Sequence, residues 1–254
     1  MSQTEVVISR IKQMLSSGRL VPGERLPIEK DLAASLEVSR GSLREGIRAL
    51  STMGIIETRQ GAGTFVTQLE PAELLSAMEF WVSLQEGEQA GEVHAVRRSL
   101  ETEAAGAAAR RISQEELERA EALLMVADTA INADPTDHET ALKADMEFHR
   151  LIAEASGNRV LSALIEALSG RTLRGRMWRS THDKVGLRDT HREHLEILRA
   201  LRLQDPERAR VRMASHLYAV EDYVRDIPPG ALTDTDTPEI RTGGTTATTA
   251  TARS

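Results

Sequence analysis

Between Leu26 and Val66 the stretch LPIEKDLAASLEVSRGSLREGIRALSTMGIIETRQGAGTFV sets two short helical patterns ahead of a glycine-tipped hairpin, a combination that few small folds satisfy. Ser39 stands where its hydroxyl can accept a hydrogen bond from an amide in the first turn of the second helix, so Glu37-Val38-Ser39 separates two helices. In that second helix Leu43, Ile47 and Leu50 recur on one face and point to a core. Arg40, Arg44 and Arg48, each four apart, form a cationic stripe on the other face. A helix with those two faces suits a DNA major groove.

The residues around this stretch extend the pattern. Val7, Ile11, Met14 and Leu15 lie at helical spacing between Thr4 and Ser17, and Gly18 ends the run. Pro27 sets up the short helix that closes near Leu36. Ile55 to Thr58 and Thr64 to Thr67 are β-prone, and Gly61-Ala62-Gly63 allows them to pair through a tight turn as a wing. A guanidinium can donate two parallel hydrogen bonds to a guanine edge, so Arg40 and Arg44, nearest the helix start, are the candidates for base contact. Arg48 lies further along and can reach DNA or pair with Glu45. Ser39 belongs to the same face, Lys30 and Ser42 suit phosphates, and Gly61 either lets backbone approach the DNA or is an ordinary hairpin glycine.

Charge is distributed in keeping with this reading. The chain carries a formal −7, yet residues 1–67 hold nine Lys/Arg against seven Asp/Glu, so the acidity lies in the remainder. The absence of cysteine excludes disulfides and thiolate metal sites. No apolar run of membrane-spanning length and no signal-peptide pattern is present, and the expected location is the cytoplasm.

The order of three helices and a wing resembles the GntR family of bacterial transcription regulators. Leu26-Pro27, Glu29, Asp31-Leu32-Ala33, Val38-Ser39-Arg40, Leu43-Arg44-Glu45, Leu50, Gly54 and Gly61 to Val66 carry the resemblance. It implies a winged helix-turn-helix that binds a palindromic operator as a homodimer, with the recognition helix in the major groove and the wing tip at the minor groove. Two positions depart from the family pattern. Ile28 replaces a small polar residue or proline, and Gly46 replaces alanine at an expected cost of about 1 kcal/mol in helix propensity.

Gln68 to Pro71 reads as a linker. From residue 72 to 227 leucine and alanine recur at helical spacing, broken at Glu86-Gly87, Ala133-Asp134-Pro135, Ser156-Gly157 and Gln204-Asp205-Pro206, which predicts an all-α bundle of six or seven helices. Ser113 with Glu116 and Thr136 with Glu139 fit capping boxes. With 3% aromatic residues, the bundle must rely on aliphatic packing. The last stretch, 228–254, rich in Thr, Ala and Gly, is expected to be disordered. The fold class is therefore mainly α: a winged helix-turn-helix over 1–67 and a helical ligand-binding domain over 72–227.

Asp145 and His149 share one helix face, and His194 and His216 fall on the last two helices. One oxygen and three nitrogen donors suit a divalent transition metal, zinc first, with nickel, manganese or iron as alternatives. Spacing alone leaves open that these are hydrogen-bonded core histidines. The pattern Asp-x-x-x-His, Ser156-Gly157-Asn158, Glu193-His194 with Ile197-Leu198, and Ala209 through His216-Leu217 resembles the FadR C-terminal (FCD) effector-binding domain over roughly 72–226. The resemblance implies that Asp145, His149, His194 and His216 hold a metal and that the effector is a small carboxylate. Arg97 can clamp such an anion or pair with Glu101, and His191 can line the pocket or lie at the surface. His94, His138 and His182 read as ordinary, and Asn158 as a helix cap. The expectation is a ligand-responsive transcription regulator, a repressor and not an enzyme; the alternative is a metal-dependent hydrolase using the Asp/His cluster.

Overall fold

Local capping decides where the N-terminal helices begin. In the computed structural model, which describes residues 2–85, 87–169 and 184–225, Ser2 and Glu5 form a capping box that opens α1 (Gln3–Ser16). α2 (Glu29–Ser35) starts from Ile28, whose side chain makes no capping bond and is exposed, so the departure at this position leaves α2 without a side-chain cap. Glu29 and Asp31 in its first turn offset that loss through the helix dipole. Ser39 caps α3 (Arg40–Thr52) as expected, its Oγ accepting from the Ser42 amide at 3.1 Å.

The wing follows. β1 (Ile56–Arg59) and β2 (Gly63–Val66) pair antiparallel with Ile56 opposite Val66 and Arg59 opposite Gly63. Each strand lies within one residue of its predicted span. Glu24 to Leu26 adds to the free side of β2, with Leu26 donating to Thr64 O and Val66 donating to Glu24 O, both at 2.8 Å. Val7, Ile11, Leu20, Leu32, Leu36, Leu43, Leu50, Ile56 and Val66 close over one core, with Ile47 packed at its margin. Apolar periodicity thus placed α1 and α3 on the correct faces.

Eight helical segments follow among the described residues: α4 (Pro71–Leu74), α5 (Ser76–Ser83), α6 (Gly87–Ala108), α7 (Gln114–Asn132), α8 (His138–Ala155), α9 (Arg159–Ser169), α10 (Lys184–Arg202) and α11 (Pro206–Arg225). Six of them have eleven or more residues. α6 lies along α8 and α11, and α7 along α8 and α10. Their shared core is aliphatic, built from Ala105, Ala108, Ala109, Leu124, Ile152, Ile197, Leu201, Met213 and Leu217, with Phe148 its one aromatic ring. Alanine on α6 lets neighbouring backbones approach closely, which is how a bundle with so few rings reaches interior density.

Two local expectations change. Ser113 and Glu116 do form a capping box at α7, but Asp137 rather than Thr136 caps α8, accepting from the Thr140 amide at 3.0 Å. Asp is the stronger capping group and brings its charge to the positive helix end; Glu139 pairs instead with Lys143 at 2.5 Å. Pro71, assigned to the linker, is the first residue of α4, and Glu70 pairs with Arg159 of α9. Glu86 of the predicted Glu86-Gly87 break, His182, and the tail 228–254 lie outside the described residues.

Gly46 is the second departure from the family pattern. A Cβ there would stand 2.4 Å from Val7 Cγ1 and 2.7 Å from Val7 Cβ, so the glycine sets how closely α1 and α3 approach. Its propensity cost is the condition for that contact. Gly46→Ala is therefore expected to lower stability by about 1–2 kcal/mol, overpacking outweighing the propensity gain. Urea unfolding measures it, and the effect should be less than additive with Val7→Ala, which removes the nearest clashing atom.

Candidate metal centre and nucleic-acid interface

His149 on α8, His194 on α10 and His216 on α11 come from three helices and turn their rings to one point. His149 Nε2 lies 3.2 Å from His194 Nε2, which lies 3.3 Å from His216 Nε2. All three are buried, and their donor atoms lie within 4.8 Å of one another. Nitrogen donors on a single ion at bonds of about 2.1 Å stand roughly 3.0–3.4 Å apart, so the spacing fits one shared cation.

The opposite ring nitrogens explain which atoms face inward. His149 Nδ1 meets Glu101 Oε2 from α6, and His216 Nδ1 meets Glu193 Oε2 at 2.8 Å. A carboxylate at Nδ1 holds the proton there and leaves Nε2 as a lone pair, the arrangement that orients metal-binding histidines. Burial, then the neighbouring His216 and His149, hold the His194 pKa well below its ordinary value, so a proton is poorly accommodated among these lone pairs. A divalent transition metal fits this donor set.

Asp145, the predicted oxygen ligand, has Oδ1 at 3.5 Å from His194 Nε2 and 4.0 Å from His149 Nε2. It stands beside the cluster without joining the set whose donor atoms all lie within 4.8 Å. Arg97 is fully buried and donates through Nε to Glu101 Oε1, the pairing its spacing allowed. Its Nη1 and Nη2 are buried with no hydrogen-bond partner among the described residues. Glu101 therefore lies between Arg97 and His149. Burial pushes its pKa up, but Arg97 and His149 outweigh burial and bring it down to about 2.

Three groups in this region were not singled out by the sequence as parts of the site. Glu101 is far from His149 along the chain, and Glu193 is on a different helix from His216, so no periodicity links either pair. His94, read as ordinary, is buried near Arg97, and burial, then Arg97, lower its pKa to about 4. His191 is partly buried with Nε2 at 3.7 Å from Asp128 Oδ1, and its Nδ1 is buried with no partner among the described residues. Asn158 Oδ1 accepts from the Val160 and Leu161 amides at 3.2 and 3.1 Å and is a helix cap. A cleft of about 150 Å³ beside His216 is lined by Arg192, Glu193, Glu196, Arg212 and Ser215.

On α3 the three arginines are all exposed but differently held. Arg44 is bound by Glu29 of α2, Arg48 pairs with Glu45 at 3.0 Å, and Arg40 has no ion pair among the described residues. Lys30 is exposed, and Ser42 Oγ lies 2.8 Å from Ser39 Oγ. Gly61 takes φ +74° at the wing tip, with open space where a Cβ would stand. Arg59 stacks over the Phe65 ring at 4.5 Å and stiffens the wing.

The carboxylate at His216 generates a direct expectation. If the cluster holds a cation, Glu193→Ala should weaken the binding of added zinc roughly 10- to 100-fold, the range for losing a hydrogen-bonded partner of a metal-binding histidine. Competition against a chromophoric chelator measures it, and an unchanged zinc affinity would show that Glu193 does not set the ring's orientation.

Comparison with known proteins agrees with both halves. Residues 3–66 match the bacterial regulatory proteins of the gntR family, and residues 92–219 match the FCD domain. The HTH-type transcriptional regulator LutR of Bacillus subtilis is 31% identical over 216 residues, covering 83% of this chain and 96% of LutR. The HTH-type transcriptional repressor NanR of Cronobacter sakazakii is 26% identical over 220 residues, covering 85% and 83%. Among solved structures, Streptococcus agalactiae GntR aligns with a TM-score of 0.64 at 28% identity, covering 86% of this chain and 99% of that one. No described helix is long and apolar enough to cross a membrane. The chain belongs to the GntR family of ligand-responsive transcription regulators, with a GntR DNA-binding domain followed by an FCD effector-binding domain.

Proposed function

We propose that this protein is a repressor that binds a palindromic operator as a homodimer and releases it when a small carboxylate enters the helical domain beside a bound divalent metal. The observation that carries the effector reading is the pairing of two features: three buried Nε2 atoms facing one point, and a buried guanidinium whose two terminal nitrogens have no partner among the described residues. His149, His194 and His216 would hold the metal, with Asp145 as the adjacent oxygen donor. Bound there, a divalent cation supplies positive charge that attracts a carboxylate. Zinc is the first choice because imidazole and carboxylate donors suit it, and nickel, manganese and iron share that preference.

Arg97 and His191 are the residues proposed to meet the effector. The Arg97 fork is already oriented by Glu101 through Nε, which leaves Nη1 and Nη2 to receive an anion. His191 Nδ1 offers a second polar group one turn from His194. The repressor reading is supported by similarity to NanR, a transcriptional repressor by name. On the DNA side Arg40 and Arg44 read bases, Ser39 caps the reading helix, Lys30, Ser42 and Arg48 meet phosphates, and Gly61 brings wing backbone near the duplex. The effector acts by binding one arrangement of the dimer more tightly than the other. The path runs from α8 through α9 and α4 to the segment Gln68–Pro71 and so to the spacing of the two reading helices.

Two measurements test this. In a thermal-shift screen of small carboxylates, at least one should raise the melting temperature of zinc-loaded protein and not of chelator-treated protein. Arg97→Lys should abolish that shift while leaving zinc affinity in place. A screen in which no carboxylate distinguishes the two forms would overturn the effector reading. Independently, the Arg40→Ala, Arg44→Ala double variant should lose roughly 100-fold or more of its affinity for a site selected from random duplexes, as expected for two bidentate base contacts of about 1–3 kcal/mol each. Undiminished specific affinity in the folded variant would remove α3 as the reader.

A further inference from the structure

Arg44 projects from the exposed face of α3, yet its guanidinium has a fixed seat. Glu29, the first residue of α2, accepts from Arg44 Nε at 2.9 Å through Oε2 and at 3.2 Å through Oε1, and Nη2 lies 2.9 Å from Oε2. The carboxylate therefore occupies the Nε/Nη2 edge. A guanidinium has a second edge capable of paired donation, formed by Nη1 and the outer hydrogen of Nη2. That edge has no partner among the described residues, lies at the tip of the side chain, and matches the O6 and N7 acceptors of guanine in the major groove.

The neighbouring arginine shows that this arrangement is particular. Arg48 is held at its tip, with Nη1 on Glu45 of its own helix, so its end edge is engaged. The Arg44–Glu29 pair also contributes little to the fold: the side chains are 62% and 46% exposed, and exposed pairs of this kind add little stability. Leu32, Ala33, Leu36 and Leu43 already join α2 to α3 in the core. What the ion pair does is restrict one long side chain to one direction and cancel part of its charge.

We propose that Glu29 is a positioning residue for base recognition, holding Arg44 by its Nε/Nη2 edge so that its Nη1/Nη2 edge is presented to a guanine. The proposal rests on α3 being the reading helix and adds how one of its arginines is aimed. Prepaying the rotamer entropy of Arg44 favours the single geometry that guanine accepts. The carboxylate also repels phosphate and occupies the edge that would otherwise clamp it, so it lowers non-specific affinity. Specificity gains from both effects because it is the ratio of the two affinities.

The test is selection from fully randomised duplexes with the full-length wild type, Glu29→Ala, Glu29→Gln and Arg44→Ala, with sequencing of the bound pools. Arg44→Ala should erase a guanine preference at one position of each half-site. Glu29→Ala should lower the preference at that same position roughly tenfold and leave the others unchanged, the scale of one misaligned bidentate contact. Its affinity for duplex lacking the site should rise, with a salt slope steeper by about one, because a freed guanidinium reaches phosphate. Glu29→Gln, which keeps an acceptor oxygen, should recover part of the preference. An unchanged preference in Glu29→Ala overturns the proposal. So does a change at a different position, which would mean that Glu29 touches a base itself, and so does a uniform loss at every position, which would mean a displaced α2. If Arg44→Ala alters no position, the reading of Arg44 as a base contact fails, and the proposal fails with it in a distinguishable way.

Discussion

Three imidazole Nε2 atoms facing one another inside an aliphatic bundle impose a condition that spreads outward through the helical half. A buried polar group is costly unless each of its donors and acceptors is met. His149 meets it through Glu101 and His216 through Glu193. Glu101 then brings a charge into a fully buried position, and Arg97 answers that charge. The series stops at the Arg97 terminal nitrogens, which find no partner among the described residues. An inward-facing cluster and an outward chain of compensating charges are thus one construction, open at both ends: cation-sized at the histidines and anion-shaped at the guanidinium.

The packing around this construction makes it rigid. Ala104, Ala105 and Ala108 are all buried on α6 and Ala109 just past its end, and their small side chains let α8 and α11 settle close to its backbone. Rotamer choices are few in such a core, so the histidines inherit their directions from the helices. Phe148, the residue before His149, packs its ring against His194 with centroids 5.0 Å apart, filling the side of the cluster that the carboxylates leave. The same economy appears in the N-terminal half, where Gly46 lets α3 lie against Val7. In both halves the absence or smallness of a side chain, more than any large group, decides how closely helices approach.

α4 is the piece that touches both halves. A Cβ on Gly54, in the turn between α3 and the wing, would lie 3.2 Å from the Glu73 carbonyl oxygen, and Glu70 at the start of α4 pairs with Arg159 of α9. α9 packs in turn on α8, which carries Asp145 and His149. A contiguous series of packed elements therefore joins α8 to the winged domain. That is the physical requirement for an effector to influence DNA binding, provided the series has two stable arrangements that the effector distinguishes.

The sequence by itself determined the elements and their faces. Periodicity in Val7-Ile11, Leu43-Ile47-Leu50 and the alanine-rich α6, the serine caps at Ser39 and Ser113, and the glycine-tipped wing are local signals, because helix and hairpin formation depend on residues a few positions apart. The Asp145-His149 spacing was legible for the same reason, His194 and His216 could be placed on the last two helices, and resemblance to a known domain favoured the ligand reading of the four over that of core histidines. Only the tertiary structure decided what those residues meet. Glu101 reaches His149 across two helices, Glu193 reaches His216 across two more, and Glu29 takes one edge of Arg44 from the preceding helix. None of these pairings has a sequence period, since each depends on how separate helices cross. Gly46 shows the same division: its propensity cost could be read from the chain, but its purpose depended on Val7 standing 2.4 Å from where a Cβ would be, a distance that exists only once α1 and α3 have packed.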